Sequence, residues 1–156
     1  MEREIIITKQ VDKIIDKIEK YPIRREAFVH LHGVSECARL IAYKRGLNDE
    51  LLSVAGLLHD LFRYNEDQQK DHARLGSELA KKLLKDTNVY KKKEIDKICT
   101  AIFFHSTKEI KHSKFDEALK DADVLHHFVM EPWKNVGKQK DKRLKKLKRE
   151  FKLKLK

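Results

Sequence analysis

Residues 49–62 read DELLSVAGLLHDLF, and this stretch decides the fold. Its apolar residues occupy every side of a helix, a pattern typical of a helix in the middle of a domain rather than at its surface. Asn48 precedes it as a candidate N-cap, and Asp49 and Glu50 place acidic side chains in the first turn. The sequence therefore predicts a buried central helix over 49–62.

The sequence on both sides of this helix also favours helices, because apolar residues recur at helical spacing. We expect helices over 2–20, 24–45, 72–86, 92–105 and 115–130. Tyr21-Pro22 ends the first and Gly46 the second, and a break in the second at Gly33 is left open. Polar residues over 63–70 and 106–114 predict loops. With no strand pattern or internal repeat, the prediction is an all-α single bundle around 49–62.

The net charge of +11 is concentrated near the end of the sequence. Residues 134–156 hold twelve Lys and Arg and two acids, a net +10, which leaves +1 for residues 1–133. We therefore expect a helical domain over 1–133 and a basic C-terminal extension over 134–156, and not a whole surface that binds nucleic acid.

The extension has an apolar stripe at helical spacing, formed by Leu144, Leu147, Phe151 and Leu155. This stripe favours a helix docked on the domain. The alternative is an anchor for RNA, polyphosphate or an anionic lipid surface.

The two cysteines, Cys37 and Cys99, stand alone without metal-ligand or disulfide spacing. Isolated cysteines are typical of reduced thiols in the cytoplasm. The sequence has neither a secretory signal pattern nor an apolar run long enough for a membrane span. We expect a soluble cytoplasmic protein, and the oligomeric state is left open.

Four of the predicted helices each place one histidine on the side that faces the core: His30, His59, His72 and His105. Each histidine taken singly is more often a hydrogen-bonded core residue than a ligand, but four of them at or near helix ends are harder to attribute to packing. His32 falls on the opposite face from His30 and is expected to point outward.

Asp60 follows His59 at the end of the most buried segment. A buried carboxylate costs several kcal/mol unless it is paired, so Asp60 needs a partner. Arg63 can pair with it; the alternative is a divalent cation shared with the histidines.

Asp123 is a candidate for a further ligand, although periodicity does not separate it from Asp121 or Asp116. Imidazoles and carboxylates without a thiolate suit Fe, Mn, Zn, Co or Ni better than Ca.

Three segments, in this order, resemble motifs of the HD-domain superfamily of metal-dependent phosphohydrolases. HLHGV at 30–34 resembles the first motif, AGLLHD at 55–60 the His-Asp motif, and KDADVL at 120–125 the final aspartate motif. The resemblance covers about 25–130. It implies an HD-type helical bundle that hydrolyses a nucleotide or related phosphoester.

Two further segments, HARLG at 72–76 and AIFFH at 101–105, resemble extra histidine motifs of the binuclear subgroup, which includes bacterial symmetrical diadenosine tetraphosphatases. The resemblance implies six ligands: His30, His59, Asp60, His72, His105 and Asp123. Asp60 would then bridge two metals. In a mononuclear site, His72 and His105 would instead be free to contact phosphate. The loop STKEIKH at 106–112 and Arg63 depart from the tetraphosphatase pattern, so the substrate is left open.

The resemblance also implies one or two divalent ions (Fe, Mn, Ni, Co, Zn or Mg) and attack by metal-activated water. Asp60 would hold the metal and orient the water, and Arg63 would contact phosphate through its fork of N–H groups. The alternative partners of Arg63 are Asp60, Glu66 or Asp67.

The proton donor to the leaving group is not identified. Lys108 and His112 are candidates, and His126 and His127 either support the site or lie at the surface.

Two other classes of function remain open. One is a non-catalytic HD module that binds a nucleotide or nucleic acid, with the basic extension as its anchor. The other is a basic RNA-binding helical protein whose histidines are core residues.

Overall fold

The structure is a computed structural model that describes residues 2–134 and 137–153, and all regular structure in these ranges is helical. The described elements are α1 (Glu2–Asp16), α2 (Tyr21–Arg45), α3 (Asp49–Leu58), α4 (Leu61–Asn65), α5 (His72–Asp86), α6 (Lys92–Phe104), α7 (Lys114–Met130) and α8 (Lys138–Glu150). The predicted all-α bundle is confirmed.

Helix α3 is the centre of the bundle, as its sequence predicts. Every residue from Leu51 to Leu58 is buried, and α3 packs against α1, α2, α6 and α7. The Asn48 side chain accepts a hydrogen bond from the backbone N–H of Leu51 at 2.8 Å, which satisfies one of the free donors at the start of the helix.

The predicted single helix over 49–62 is wrong, because the chain turns between α3 and α4 at His59 and Asp60. Asp60 has φ −114° and ψ 10°, outside the helical region. No glycine or proline marks this turn in the sequence. The turn gives the Asp60 side chain a direction that it would not have in a continuous helix. Helix α4 extends to Asn65, into the predicted loop.

Several helix ends also differ from the prediction. Helix α1 ends at Asp16, well before Lys20, and α2 begins at Tyr21 with Pro22 in its first turn, where proline needs no hydrogen-bond partner for its nitrogen. Helix α2 continues through Gly33 without a break and ends at Gly46, which has φ +61°.

The basic extension contains helix α8, which packs on α7. Leu144 and Leu147 are buried, and Phe151 is partly buried against the same core. Glu150 pairs with Arg45 of α2 at 2.8 Å. These contacts favour the docked helix over a free anchor. Leu155 lies outside the described residues, and the boundary at 133 stays a prediction.

The described helices include none that is both long and apolar enough to cross a membrane.

Candidate metal centre

Five parts of the fold bring the predicted ligands to one place. His30 lies on α2, His59 and Asp60 form the turn after α3, and His72 begins α5. His105 directly follows α6, and Asp123 lies on α7. All six residues are buried except His72, whose side chain is 20% exposed. The structure therefore places every predicted ligand in this cluster.

Hydrogen bonds to the backbone fix the orientation of three imidazoles. The Nδ1 of His59 lies 2.7 Å from the Gly56 carbonyl oxygen, and the Nδ1 of His105 lies 2.6 Å from that of Ile102. The Nδ1 of His72 lies 2.8 Å from the carbonyl oxygen of Gln69. Because a carbonyl oxygen only accepts, Nδ1 carries the proton in each neutral ring and Nε2 presents a bare lone pair to the cluster.

The two carboxylate oxygens of Asp60 face different pairs of imidazoles. Oδ1 lies 3.1 Å from Nε2 of His105 and 3.5 Å from Nε2 of His72. Oδ2 lies 3.7 Å from Nε2 of both His30 and His59. A carboxylate in this position has one oxygen for each of two neighbouring cation sites.

Asp123 completes the cluster from α7. Its Oδ1 lies 3.7 Å from Nε2 of His30 and 3.3 Å from Nε2 of His127. Its Oδ2 accepts a hydrogen bond from Nζ of Lys108 at 2.8 Å. His127 is thus a potential ligand that the sequence left as a supporting or surface residue, although its spacing of four residues from Asp123 places both on one helix face.

Within residues 2–134 and 137–153, three groups of side chains have ligand atoms close enough to hold a cation, all within 4.8 Å of each other in each group. These groups are His30 with His59 and Asp60, His30 with Asp123 and His127, and Asp60 with His72 and His105.

Burial keeps the imidazoles of His30 and His59 neutral. It lowers the pKa of His30 to about 3, with the neighbouring His59 adding to the effect. It also lowers the pKa of His59 to about 4. At neutral pH these rings therefore offer lone pairs rather than positive charge, as a metal ligand must.

The carboxylates, in contrast, are ionised. Burial alone would raise the pKa of Asp60, but the neighbouring imidazoles of His59 and His105 hold it well below its usual value. Burial would likewise raise the pKa of Asp123. The positive charge of Lys108 and the hydrogen bond with His127 outweigh burial and hold this pKa well below its usual range. Neutral imidazoles beside ionised carboxylates are the donor set that divalent transition metals prefer.

Arg63 contacts the same centre from α4. Its Nη1 donates a hydrogen bond to Oδ2 of Asp60 at 2.9 Å, which is one of the pairings left open by the sequence. The side chain is 27% exposed, so the guanidinium reaches both the buried carboxylate and the solvent.

The other polar candidates lie elsewhere. His32 pairs with Asp12 at 2.8 Å on the outer side of α2. The Nδ1 of His112 lies 2.7 Å from Nζ of Lys120, away from the cluster. Asp121 pairs with Arg45 of α2 and with Arg143 of α8, so the structure separates it from Asp123.

Asp116 stabilises the start of α7, where its carboxylate accepts a hydrogen bond from the backbone N–H of Ser113 at 3.1 Å.

Comparison with known proteins agrees with this arrangement. A family model described as the HD domain matches residues 27–127. Among solved structures, the chain is similar to a predicted HD superfamily hydrolase from an uncultured Thermotogales bacterium, with a TM-score of 0.65 and 23% sequence identity. The match covers 92% of this chain and 88% of that one, and it shows a shared fold. No curated protein matches.

Proposed function

The chain belongs to the HD-domain family, and from this premise we propose that it is a metal-dependent phosphohydrolase acting on a nucleotide or related phosphoester. The family is one of metal-dependent phosphohydrolases; the reaction of this chain and its substrate are our proposal.

The main support for the proposal is the close approach of two imidazoles and a carboxylate. The Nε2 atoms of His72 and His105 lie 3.3 Å apart, and Nε2 of His105 lies 3.1 Å from Oδ1 of Asp60. Since the Nδ1 atoms of both rings donate to backbone carbonyls, these three facing atoms are all acceptors when the rings are neutral. Buried acceptors that face each other repel unless a positive charge lies among them. A divalent cation supplies that charge.

The two oxygens of Asp60 favour two cations rather than one. His72 and His105 share Oδ1 of Asp60, whereas His30 and His59 share Oδ2, and Asp123 stands beside His30. We infer a site in which Asp60 is common to both ions. The imidazole-rich donor set fits Fe, Mn, Co, Ni or Zn.

A bound divalent ion would supply an activated water and neutralise charge on the phosphoryl group. The chain's own residues would then position the substrate. Arg63 can turn its partly exposed guanidinium from Asp60 towards phosphate oxygens, where it makes forked hydrogen bonds. Lys108 brings a second positive charge to the opposite carboxylate, Asp123. The buried imidazoles exclude bulk water from the carboxylates, and the ammonium of Lys108 stabilises the ionised form of Asp123.

A site for two ions would be a feature in common with the subgroup that contains diadenosine tetraphosphatases. The substrate is proposed no more narrowly than a phosphoester, because the loop over 106–112 lacks that subgroup's pattern.

The test is hydrolysis of generic phosphodiester, phosphomonoester and nucleotide substrates by protein reconstituted with Mn²⁺, Co²⁺ or Fe²⁺. We expect turnover that a chelator abolishes and that falls at least about a hundredfold in Asp60→Asn, the upper end of the loss found when a partner that supports a ligand is removed. Asp96→Asn is the matched control, since Asp96 is a half-exposed acid in a surface pair with Lys92. Metal binding without turnover on any substrate would identify a non-catalytic module and overturn the proposal.

A further inference from the structure

A second feature lies beside the candidate metal centre. A groove of about 690 Å³ runs between α8, the start of α7 and the loop over 106–113. We call it the basic groove. Its lining residues are Arg45, Leu47, Lys108, Glu109, Lys111, His112, Lys114, Glu117, Asp121, Lys142, Arg143 and Lys146.

Ion pairs fix the floor of the groove. Asp121 accepts from Arg45 at 2.8 Å and from Arg143 at 3.0 Å, and its side chain is only 4% exposed. Arg143 also pairs with Glu117 at 2.8 Å, and Arg45 with Glu150 at 2.8 Å. These pairs hold both guanidiniums in place at the boundary between α2, α7 and α8.

The walls of the groove carry excess charge. Seven Lys and Arg side chains line it against three carboxylates, a net +4 with His112 neutral. Lys111, Lys114, Lys142 and Lys146 are exposed and form no ion pair with any residue in 2–134 or 137–153. A concave surface with this excess of one charge concentrates anions.

The loop that forms one wall is held rigidly. Lys120 is fully buried, and its Nζ donates to the carbonyl oxygens of Thr107 at 2.9 Å and Ile110 at 2.8 Å. Because a buried ammonium without these acceptors would be costly, the loop keeps the shape that satisfies it. The groove wall is therefore set by the fold rather than by a ligand.

Lys108 joins the groove to the metal centre. It lines the groove, and its Nζ donates both to Oδ2 of Asp123 at 2.8 Å and to the carbonyl oxygen of His105 at 2.7 Å. An anion that follows the groove thus ends beside the carboxylate cluster.

We propose that the basic groove binds a linear chain of phosphates, either free polyphosphate or the oligophosphate part of a nucleotide. Lys142 and Lys146 stand one turn apart on α8, a rise of about 5.4–6 Å along the axis. Arg149 continues the row and lines an adjoining cavity of about 520 Å³ with Arg45, Lys146 and Glu150, and this glutamate is paired with Arg45. Since successive phosphates of such a chain lie closer together than these lysines, a row of cations at this spacing meets about every second phosphate of one extended chain.

The groove favours phosphate over nucleic-acid bases. Among its described lining residues His112 carries the single ring, which is stacked on Phe104 with centroids 3.8 Å apart. Single-stranded nucleic acid is commonly held by free aromatic faces, and here no such face is open. A membrane surface is also disfavoured as the partner of the groove. Leu144 and Leu147 of α8 are buried in the bundle, so the helix has no free apolar face to insert into lipid.

The test measures binding rather than turnover, so its outcome is independent of the proposed hydrolysis. Tripolyphosphate, ATP, adenosine and a short oligouridylate are titrated by calorimetry into the full chain, without divalent metal. The variant Lys111→Gln/Lys142→Gln/Lys146→Gln removes three groove charges. The control Lys13→Gln/Lys82→Gln/Lys93→Gln removes three exposed charges on α1, α5 and α6, which do not line the groove.

We expect tripolyphosphate or ATP to bind, and the groove variant to weaken that binding at least about tenfold while the control changes it less than about twofold. Equal affinity of the full chain for tripolyphosphate and ATP would show that the phosphate chain alone is recognised. Tighter binding of ATP would point to a nucleotide as the source of the chain. The proposal would be overturned if the groove variant and the control lost affinity equally, or if neither tripolyphosphate nor ATP bound. It would also be overturned if the oligouridylate bound more tightly than the phosphate ligands.

Discussion

The ring of His126 on α7 occupies the space into which a side chain at Gly33 on α2 would project. A Cβ added at Gly33 would overlap Cε1 and Nδ1 of that ring. The centroid of His126 lies 5.1 Å from that of His30, which is in turn part of the candidate metal centre. The absence of a side chain at position 33 thus allows α2 and α7 to approach each other where two proposed ligands, His30 and Asp123, face each other.

Gly33→Ala is therefore expected to destabilise the protein by about 1–3 kcal/mol, as overpacking does, despite the better helix propensity of alanine. Urea unfolding measures this. Gly76→Ala on α5 is the comparison, because its Cβ would lie 3.3 Å from the carbonyl oxygen of His59, a tight contact but a much smaller overlap, and it should cost clearly less than Gly33→Ala. A second substitution, His126→Ala, should recover part of the loss. Equal effects of the two glycine substitutions would contradict this account of the helix contact.

Part of this site could be predicted from the sequence, and part could not. Placing each histidine on its helix face identified four core-facing imidazoles, and the structure brings all of them together with Asp60. The turn at His59 and Asp60 was missed because it contains no glycine or proline. Its geometry depends on the bonds that His59 and Asp60 make across the bundle.

Helix α7 was the part of the site that the sequence pattern predicted least well. Most of its residues are buried, so it lacks the polar face against which an apolar stripe is recognised. Asp116, Asp121 and Asp123 consequently looked equivalent in the sequence. Only the arginines of α2 and α8 that pair with Asp121, and the histidines beside Asp123, separate them. Lys120 is fully buried on the same helix, and its acceptors come from the backbone of the loop that precedes α7.

Docking of α8 predicts a loss of stability when its apolar contact is removed. Leu147 is fully buried, and Leu147→Ala should cost about 2–5 kcal/mol of the free energy of unfolding. Lys145→Ala on the exposed side of the same helix should change it by less than about 0.5 kcal/mol. Denaturant unfolding followed by circular dichroism compares the two. A small effect of Leu147→Ala would mean that α8 is not part of the folded domain.

The buried imidazoles predict how the metal-free protein responds to acid. The pKa values of about 3 for His30 and about 4 for His59 lie below the value of about 6.5 expected in the unfolded chain. Above that unfolded value neither state binds protons at these rings, and stability is constant. Below it the unfolded chain takes up protons first, so stability falls by up to about 1.4 kcal/mol per pH unit for each ring.

Urea midpoints measured with a chelator between about pH 7 and about pH 5 test this fall. His59→Asn should flatten the slope, because it removes one of the two rings. A midpoint that does not move over this interval would contradict the burial of neutral imidazoles.

The contact between Lys108 and Asp123 predicts competition between an ammonium and a metal ion. Their side chains lie 2.8 Å apart, and a cation at Asp123 would be repelled by the lysine. Lys108→Gln should therefore tighten Mn²⁺ binding, measured by calorimetry, at least about fivefold, which corresponds to about 1 kcal/mol. Lys111→Gln in the same loop should leave it unchanged. Weaker binding in Lys108→Gln would show that the lysine holds the loop and does not compete.

The central claim is that imidazoles from separate helices and two aspartates hold divalent metal inside the bundle. A crystal structure of protein reconstituted with Mn²⁺ or Co²⁺, with anomalous data collected for that metal, tests it most directly. We predict anomalous density bounded by His30, His59, Asp60 and Asp123, with a second peak between Asp60, His72 and His105. A map without a peak among these residues, from protein soaked at millimolar metal, would contradict the assignment.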